Sequence, residues 1–220
     1  MINASCLNFN IFSGEFKLFL SIILISIVSY LIGCINTSLI ITKVFKKRDI
    51  RELGSGNAGF TNALRTLGKK TAVITFAGDF IKGILAVWIS LIISNLFNSY
   101  NLNLLYLSSF MCVLGHIFPC FFNFRGGKGI LTAWSSTLLI DWRVFVVLIS
   151  VFLILFLLSK IISLGSVCAA ISYPVSMFFM KYENIIPFVI SVITCSIVIF
   201  RHKDNIKRLL SGTEKKITKK

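Results

Sequence analysis

Charge is scarce in this chain, and acid is scarcer still. Only 14% of its 220 residues are charged, and 8 Asp and Glu stand against 23 Lys and Arg. A soluble domain of this length needs a more polar surface than that. The six cysteines, Cys6, Cys34, Cys112, Cys120, Cys168 and Cys195, form no CxxC pair, and five lie in or beside apolar segments. They read as small apolar filler. Residues 1–15 hold no Lys or Arg, so the basic region of a cleavable signal peptide is missing and the first apolar run reads as a retained helix. No internal repeat is present. A P-loop is absent too: neither GSGNAG nor GGKG completes G-x-x-x-x-G-K-[ST], because Gly129 follows Lys128.

What the chain does have is lipid-soluble surface. Hydrophobic residues make up 56% of it and mean hydropathy is +0.87. Long unbroken Ile, Leu, Val and Phe runs predict helices, since barrel strands would alternate apolar and polar residues. The expected fold is an all-α integral membrane protein with about seven transmembrane helices. They fall near 18–42, 71–97, 103–122, 130–140, 144–160, 167–180 and 185–200. The fourth, ILTAWSSTLLI, is short for a full span and reads as tilted, extended at its ends or re-entrant. Pro174 can kink the sixth and Pro187 can cap the seventh. All but four of the 23 cations lie in the loops after segments 1, 3 and 5 or in the C-terminal tail; the exceptions are Lys17, Arg143 and Lys181 opposite, and Lys82 within segment 2. That bias puts the N-terminus outside and the C-terminus in the cytoplasm. The expected organisation is an extension over 1–15, a transmembrane domain over 16–203 and a basic cytoplasmic tail over 204–220. The net charge of +15 thus marks topology and attraction to anionic headgroups. No RNA or DNA motif accompanies it, so nucleic acid is not an expected partner.

Gly54-x-Gly56-x-x-Gly59 spells a dinucleotide fingerprint, with Asp79 twenty positions on. Such a fingerprint requires a strand before it and a parallel sheet around it. Here it follows the polar run KVFKKRDIREL and precedes a membrane segment, so the Rossmann reading fails. The physics of glycine-rich loops survives: freed N–H groups and a following helix favour an oxyanion. In GSGNAGFTNALRTLGKK, Gly54 and Gly56 free the backbone, and Ser55, Asn57, Thr61 and Asn62 offer neutral hydrogen bonds. Arg65 offers a bidentate fork for phosphate. FTNALRTLG predicts a short helix stopped by Gly68. A flexible connector is the alternative to an anion site.

Three more stretches fall on the same side. NFRGGKGILTAW sets Arg125 and Lys128 around paired glycines, either as a phosphate contact or as a basic interfacial anchor. SLGS spans Ser163 to Ser166. In RHKDNIKRLLSGTEKK, His202 and Asn205 share a helical face, as donor and base candidates or as parts of an amphipathic tail. Within the membrane, Asp79 and Lys82 of GDFIKG are three apart and predict an ion pair that positions the first loop, while His116 of GHIFP reads as structural. Together these stretches suggest one cytoplasmic pocket for phosphorylated ligands.

In this order, GSGNAGFTNALRTLGKK, GDFIKG, GHIFP with FRGGKG, SLGS and RHKDNIKRLLSGTE closely resemble the bacterial membrane glycerol-3-phosphate acyltransferases that use acyl-phosphate as donor. The resemblance covers about residues 18–217 and leaves 1–15 unexplained. Phe60 stands where that family usually has a small residue. The resemblance implies acyl transfer from acyl-phosphate to the 1-hydroxyl of glycerol 3-phosphate, giving 1-acylglycerol 3-phosphate and phosphate, the first acylation of phospholipid synthesis. It implies a multi-pass protein of the bacterial inner membrane, a cytoplasmic active site, no cofactor and no metal. An upstream acyl-phosphate-forming enzyme becomes a potential partner. By position, the family's functional residues fall on Ser55, Thr61, Arg65, Lys128, Ser166, His202 and Asn205. The expected division gives Arg65 and the first-loop amides to one phosphate, and Lys128 with the GGKG amides, Gly126 to Gly129, to the other. His202 and Asn205 would hold glycerol 3-phosphate, and Ser55 would contact the reacting groups. The base is His202 or a substrate phosphate oxygen. HxxxxD is absent, since Phe121 follows His116 by five and Lys207 follows His202 by five. An organic-phosphate carrier and a lipid-binding scaffold are the rival readings; a carrier would need cations near the midplane and matched halves.

Overall fold

A computed structural model describes residues 13–182 and 184–217; most of the expected 1–15 extension lies outside the described residues. Among them there are helices and turns and no strand. The helices are α1 (Gly14–Cys34), α2 (Thr37–Lys46), α3 (Phe60–Leu67), α4 (Lys69–Leu96), α5 (Leu102–Ile117), α6 (Ile130–Ile140), α7 (Trp142–Ser159), α8 (Ile162–Phe179), α9 (Ile186–Arg201) and α10 (Lys203–Leu210). Short 3₁₀ turns occupy Ile50–Glu52 and Cys120–Phe122.

All seven apolar segments are helical, but helix length supports fewer spans than seven. Among the described residues five candidates are long and apolar enough to cross, or six if α9 and α10, bent by 64°, count as one. The 11 residues of α6 reach only about 16 Å at 1.5 Å per residue, roughly half the hydrocarbon thickness. The first segment is broken, not continuous. The Asn36 side chain accepts from the Leu39 amide at 3.2 Å and caps α2. The Lys82 ammonium takes the freed carbonyls of Gly33 and Ile35 at 3.2 and 2.9 Å.

Helix α1 packs on α4 and α5, α6 packs on both α4 and α7, and α8 packs on α7 and α9. Close approach is built from small residues, as expected where lipid gives helices no hydrophobic drive to associate. A Cβ on Gly115 would lie 2.9 Å from the Cys34 backbone nitrogen of α1. Ser29 and Ser108 hydroxyls bond across the same pair at 2.8 Å. The outer surface carries exposed Phe19, Ile74, Trp88, Leu157 and Phe178, the apolar belt of an integral membrane protein. A core of Tyr106, Trp134, Leu148, Tyr173 and Met177 fills the space among α5, α6, α7 and α8. The charged motifs gather at the opposite end from the Asp141–Arg143 pair.

Candidate active site

The first loop is shaped by Asn62. Its amide donates to the carbonyls of Ile50 at 3.1 Å and Leu53 at 2.9 Å, and its Oδ1 accepts from the Ser55 N–H at 3.0 Å. Gly54 and Gly56 turn the chain with φ of 58° and 70°, a region that glycine enters without strain. A Cβ on Gly54 would also meet Thr66 Cγ2 at 2.6 Å. As expected, α3 covers FTNALRTL and ends at Gly68, whose φ is 87°. Asn62 thus holds the loop, 1% exposed with its amide group engaged there, and it also lines the larger cavity described below. The Gly56 amide likewise donates to Leu53 O at 3.0 Å.

The second loop is pinned from two sides. Arg51, held by Asp49, donates to Phe122 O at 2.8 Å and Arg125 O at 3.2 Å. The Gly126 and Gly127 amides donate to Ile117 O at 3.0 Å and His116 O at 3.1 Å. That corrects the expectation that these two amides bind a phosphate, because α5's terminal carbonyls already use them. What the glycines provide is proximity: a Cβ on Gly127 would lie 2.6 Å from Ala58 O of the first loop. His116 rests on a buried pair, with Lys82 Nζ 2.9 Å from Asp79 Oδ1 and 2.7 Å from His116 Nδ1. The pair therefore supports the second loop and the α1–α2 break, where the sequence suggested the first loop alone.

The loop delivers Lys128, whose ammonium donates to Asn205 Oδ1 of α10. Burial lowers its pKa to about 8; Arg208 and Arg201 push the same way, and Glu214 and Asp204 oppose them. His202 sits at the α9–α10 bend. Its Nδ1 faces Val198 O at 2.8 Å and so carries the proton, leaving the Nε2 lone pair free. Burial and then the Lys128 charge pull its pKa down to about 4. At pH 7 this imidazole is neutral.

Sequence reasoning missed Glu214, although RHKDNIKRLLSGTE contains it. Its carboxylate, 8% exposed as a residue, accepts from Asn205 Nδ2 at 3.1 Å and Arg208 Nε at 2.7 Å, with Arg65 at 4.0 Å. Burial works against its ionisation, but the bonds from Arg208 and Asn205 hold the pKa below the usual range. Arg65 also donates to Lys215 O at 3.2 Å, and the Ile217 N–H donates to Lys160 O at 2.8 Å. The segment after α10 thus folds back across the site. The expected boundary between residues 203 and 204 falls inside α10.

Two cavities result. A polar one of about 250 Å³ is lined by Ser55, Lys128, Arg201, Asn205 and Arg208 among others. A larger one of about 610 Å³ has Thr61, Arg65, Ser166 and His202 near its head and Phe76, Phe80, Trp134 and Phe152 deeper down. Ser55, Asn57, Lys128 and Asn205 line both. The arrangement sets a small polar cavity with several cations beside a larger one that opens onto an apolar slot. Phe60, the departure noted above, packs edge-on to Phe76 at 5.7 Å and becomes part of that slot. Among the described residues no group of three or more His, Cys, Asp and Glu could hold a metal ion.

The model of the family described as glycerol-3-phosphate acyltransferase matches residues 23–212. A glycerol-3-phosphate acyltransferase of Clostridioides difficile is 41% identical over 200 residues, covering 91% of this chain and 97% of the relative. That of Bacillus subtilis is 39% identical over 196 residues, covering 89% and 97%. Crystal structures of PlsY (YgiH), an integral membrane glycerol 3-phosphate acyltransferase, superpose with a TM-score of 0.82 in the glycerol 3-phosphate form and 0.78 in the lysophosphatidic acid form. Each is 34% identical and covers 90% of this chain and 96% of its own.

Proposed function

The chain belongs to the glycerol-3-phosphate acyltransferase family, and from that premise we propose that it moves an acyl chain from acyl-phosphate to the 1-hydroxyl of glycerol 3-phosphate. The products are 1-acylglycerol 3-phosphate and phosphate. The observation that carries this reading is the pair of cavities that share Ser55, Asn57, Lys128 and Asn205. Glycerol 3-phosphate takes the small polar cavity, where Arg201 and Arg208 meet its phosphate. The acyl-phosphate takes the large one, with Arg65 and Thr61 at its phosphate and the chain in the apolar slot. The reacting atoms then meet beside Ser55 and Lys128.

An acyl-phosphate is a mixed anhydride, so no covalent enzyme intermediate is required. The 1-hydroxyl oxygen attacks the acyl carbon, the bond from that carbon to the phosphate oxygen breaks, and phosphate leaves. Lys128 stabilises the developing oxyanion. His202, neutral with Nε2 free, accepts the hydroxyl's hydrogen bond and aims it at the carbonyl. With its pKa near 4 it is a weak base. A phosphate oxygen, with a second pKa of about 6, is the better final home for the proton.

The positive-inside bias supports seven membrane-embedded helices, with the N-terminus outside and the site on the cytoplasmic face of the inner membrane. An acyl-phosphate-forming enzyme on that side would supply the donor. The intramembrane Lys82 is taken up by Asp79, His116 and two backbone carbonyls, and the other motif cations lie at one end of the bundle, which counts against a carrier. The test is purified protein in detergent with acyl-phosphate and labelled glycerol 3-phosphate; labelled monoacyl product is expected. Product formed from acyl-CoA and none from acyl-phosphate would overturn the donor assignment.

A further inference from the structure

The apolar slot has a floor. Its α7 wall is formed by Phe145, Ile149, Phe152 and Phe156, spaced four, three and four apart and therefore on one helical face. At 1.5 Å per residue, Phe156 near the head and Phe145 at the base are separated by about 16 Å. Opposite stand Phe76 and Phe80 of α4, whose rings stack at 5.8 Å. Between them, α6 contributes Trp134.

Two features seal the back of the slot and a third closes its base. Trp134 is 4% exposed, sits in the core with Tyr106 and Tyr173, and meets the Phe152 ring edge-on at 4.9 Å. One turn below Phe80, α4 and α6 touch: a Cβ on Gly83 would lie 2.6 Å from Thr132 O, so the slot does not continue between them. Helix α6 ends at Ile140, and the chain turns at Asp141 into α7, with Phe145 in its first turn. The α7 wall is also firm, because Phe152 is backed by α8, where a Cβ on Gly165 would meet its Cδ2 at 2.8 Å.

Resting on the acyl-transfer reading above, we infer that Phe145 sets the length of acyl chain the enzyme prefers. An extended hydrocarbon advances roughly 1.3 Å per carbon, so a slot of about 16 Å holds about twelve methylenes below the head. Adding the carbons at the reacting end gives a preferred chain of about 14 carbons. Up to that length each methylene adds dispersion contacts with the slot walls, so kcat/KM rises with length. Beyond it, added carbons meet the base and must bend back or stay outside, so kcat/KM falls.

The test is kcat/KM for saturated acyl-phosphates of roughly 10 to 20 carbons in wild type, Phe145→Ala and Ile149→Trp. Phe145→Ala removes a half-buried ring at the base and should move the maximum longer by about two to four carbons. Ile149→Trp places an indole about 10 Å below Phe156 and should move the maximum shorter, with the short substrates still turned over. That retained turnover cannot come from misfolding. The KM for glycerol 3-phosphate should stay constant in all three. Identical length profiles in wild type and both variants would overturn the inference while leaving the reaction intact. A wild-type enzyme inactive with every acyl-phosphate would instead overturn the reaction, and the inference with it.

Discussion

Raising the pH through 8 should switch this enzyme off by discharging Lys128. The ammonium is pulled from its ordinary 10.5 to about 8, chiefly by burial. That difference corresponds to about 3 kcal/mol between its protonation states. At pH 7 about nine molecules in ten carry the charge, and at pH 9 about one in ten. If Lys128 stabilises the oxyanion, kcat/KM should fall about tenfold per pH unit above 8, since that ratio reports the free enzyme. The sign for stability runs oppositely. The unfolded chain binds more protons at this lysine between pH 8 and 10.5, so this group's contribution to folding rises with pH over that window. Activity should thus fall where this contribution to stability grows, which separates discharge from unfolding. The assay is a pH–rate profile from 6 to 10 with parallel melting curves in detergent. Lys128→Arg should remove the alkaline limb, because the guanidinium stays charged, at reduced overall rate. Glu214→Gln should move the limb to lower pH, because the Glu214 carboxylate helps keep Lys128 protonated. A wild-type profile flat to pH 9.5, or a limb that neither variant moves, would refute the reasoning.

His202→Ala and Arg65→Ala should each lower the rate by about 100-fold or more, the scale of losing a positioned hydrogen-bonding or cationic group; near-wild-type turnover in both would remove them from the site. Asn62→Ala should cost about 3 kcal/mol of stability by stranding the Ile50 and Leu53 carbonyls, seen as a lower Tm. An unchanged Tm would mean that the loop does not depend on this clamp. Gly127→Ala should push the second loop off Ala58 and abolish most activity while the bundle stays helical by circular dichroism; wild-type rates would show that the loops need not touch.

How much of this was readable in the sequence depended on how local the physics is. The short helix over Phe60–Leu67 and its stop at Gly68 follow from neighbouring residues, and both were legible. The scaffold role of Asn62 was not legible because a ligand donor and a scaffold donor are the same chemical group. Its direction is decided by carbonyls 9 and 12 residues earlier, which the motif does not encode. The Gly126 and Gly127 amides were misread for the same reason, their acceptors being the last carbonyls of another helix. Glu214 draws significance from Arg65, far away in the chain, and from Asn205. The apolar slot left no trace at all: Phe80 or Ile149 facing a ligand is indistinguishable, by type and period, from the same residue facing lipid.

The segment from Glu214 to Ile217, laid between Arg65 and the Lys160 carbonyl, makes a ceiling over the place where the anhydride would sit. Water is a far more abundant nucleophile than any sugar-alcohol phosphate. A chamber with that roof missing would spend its donor on hydrolysis, so the fidelity of the transfer would rest on a few residues that touch neither reacting atom.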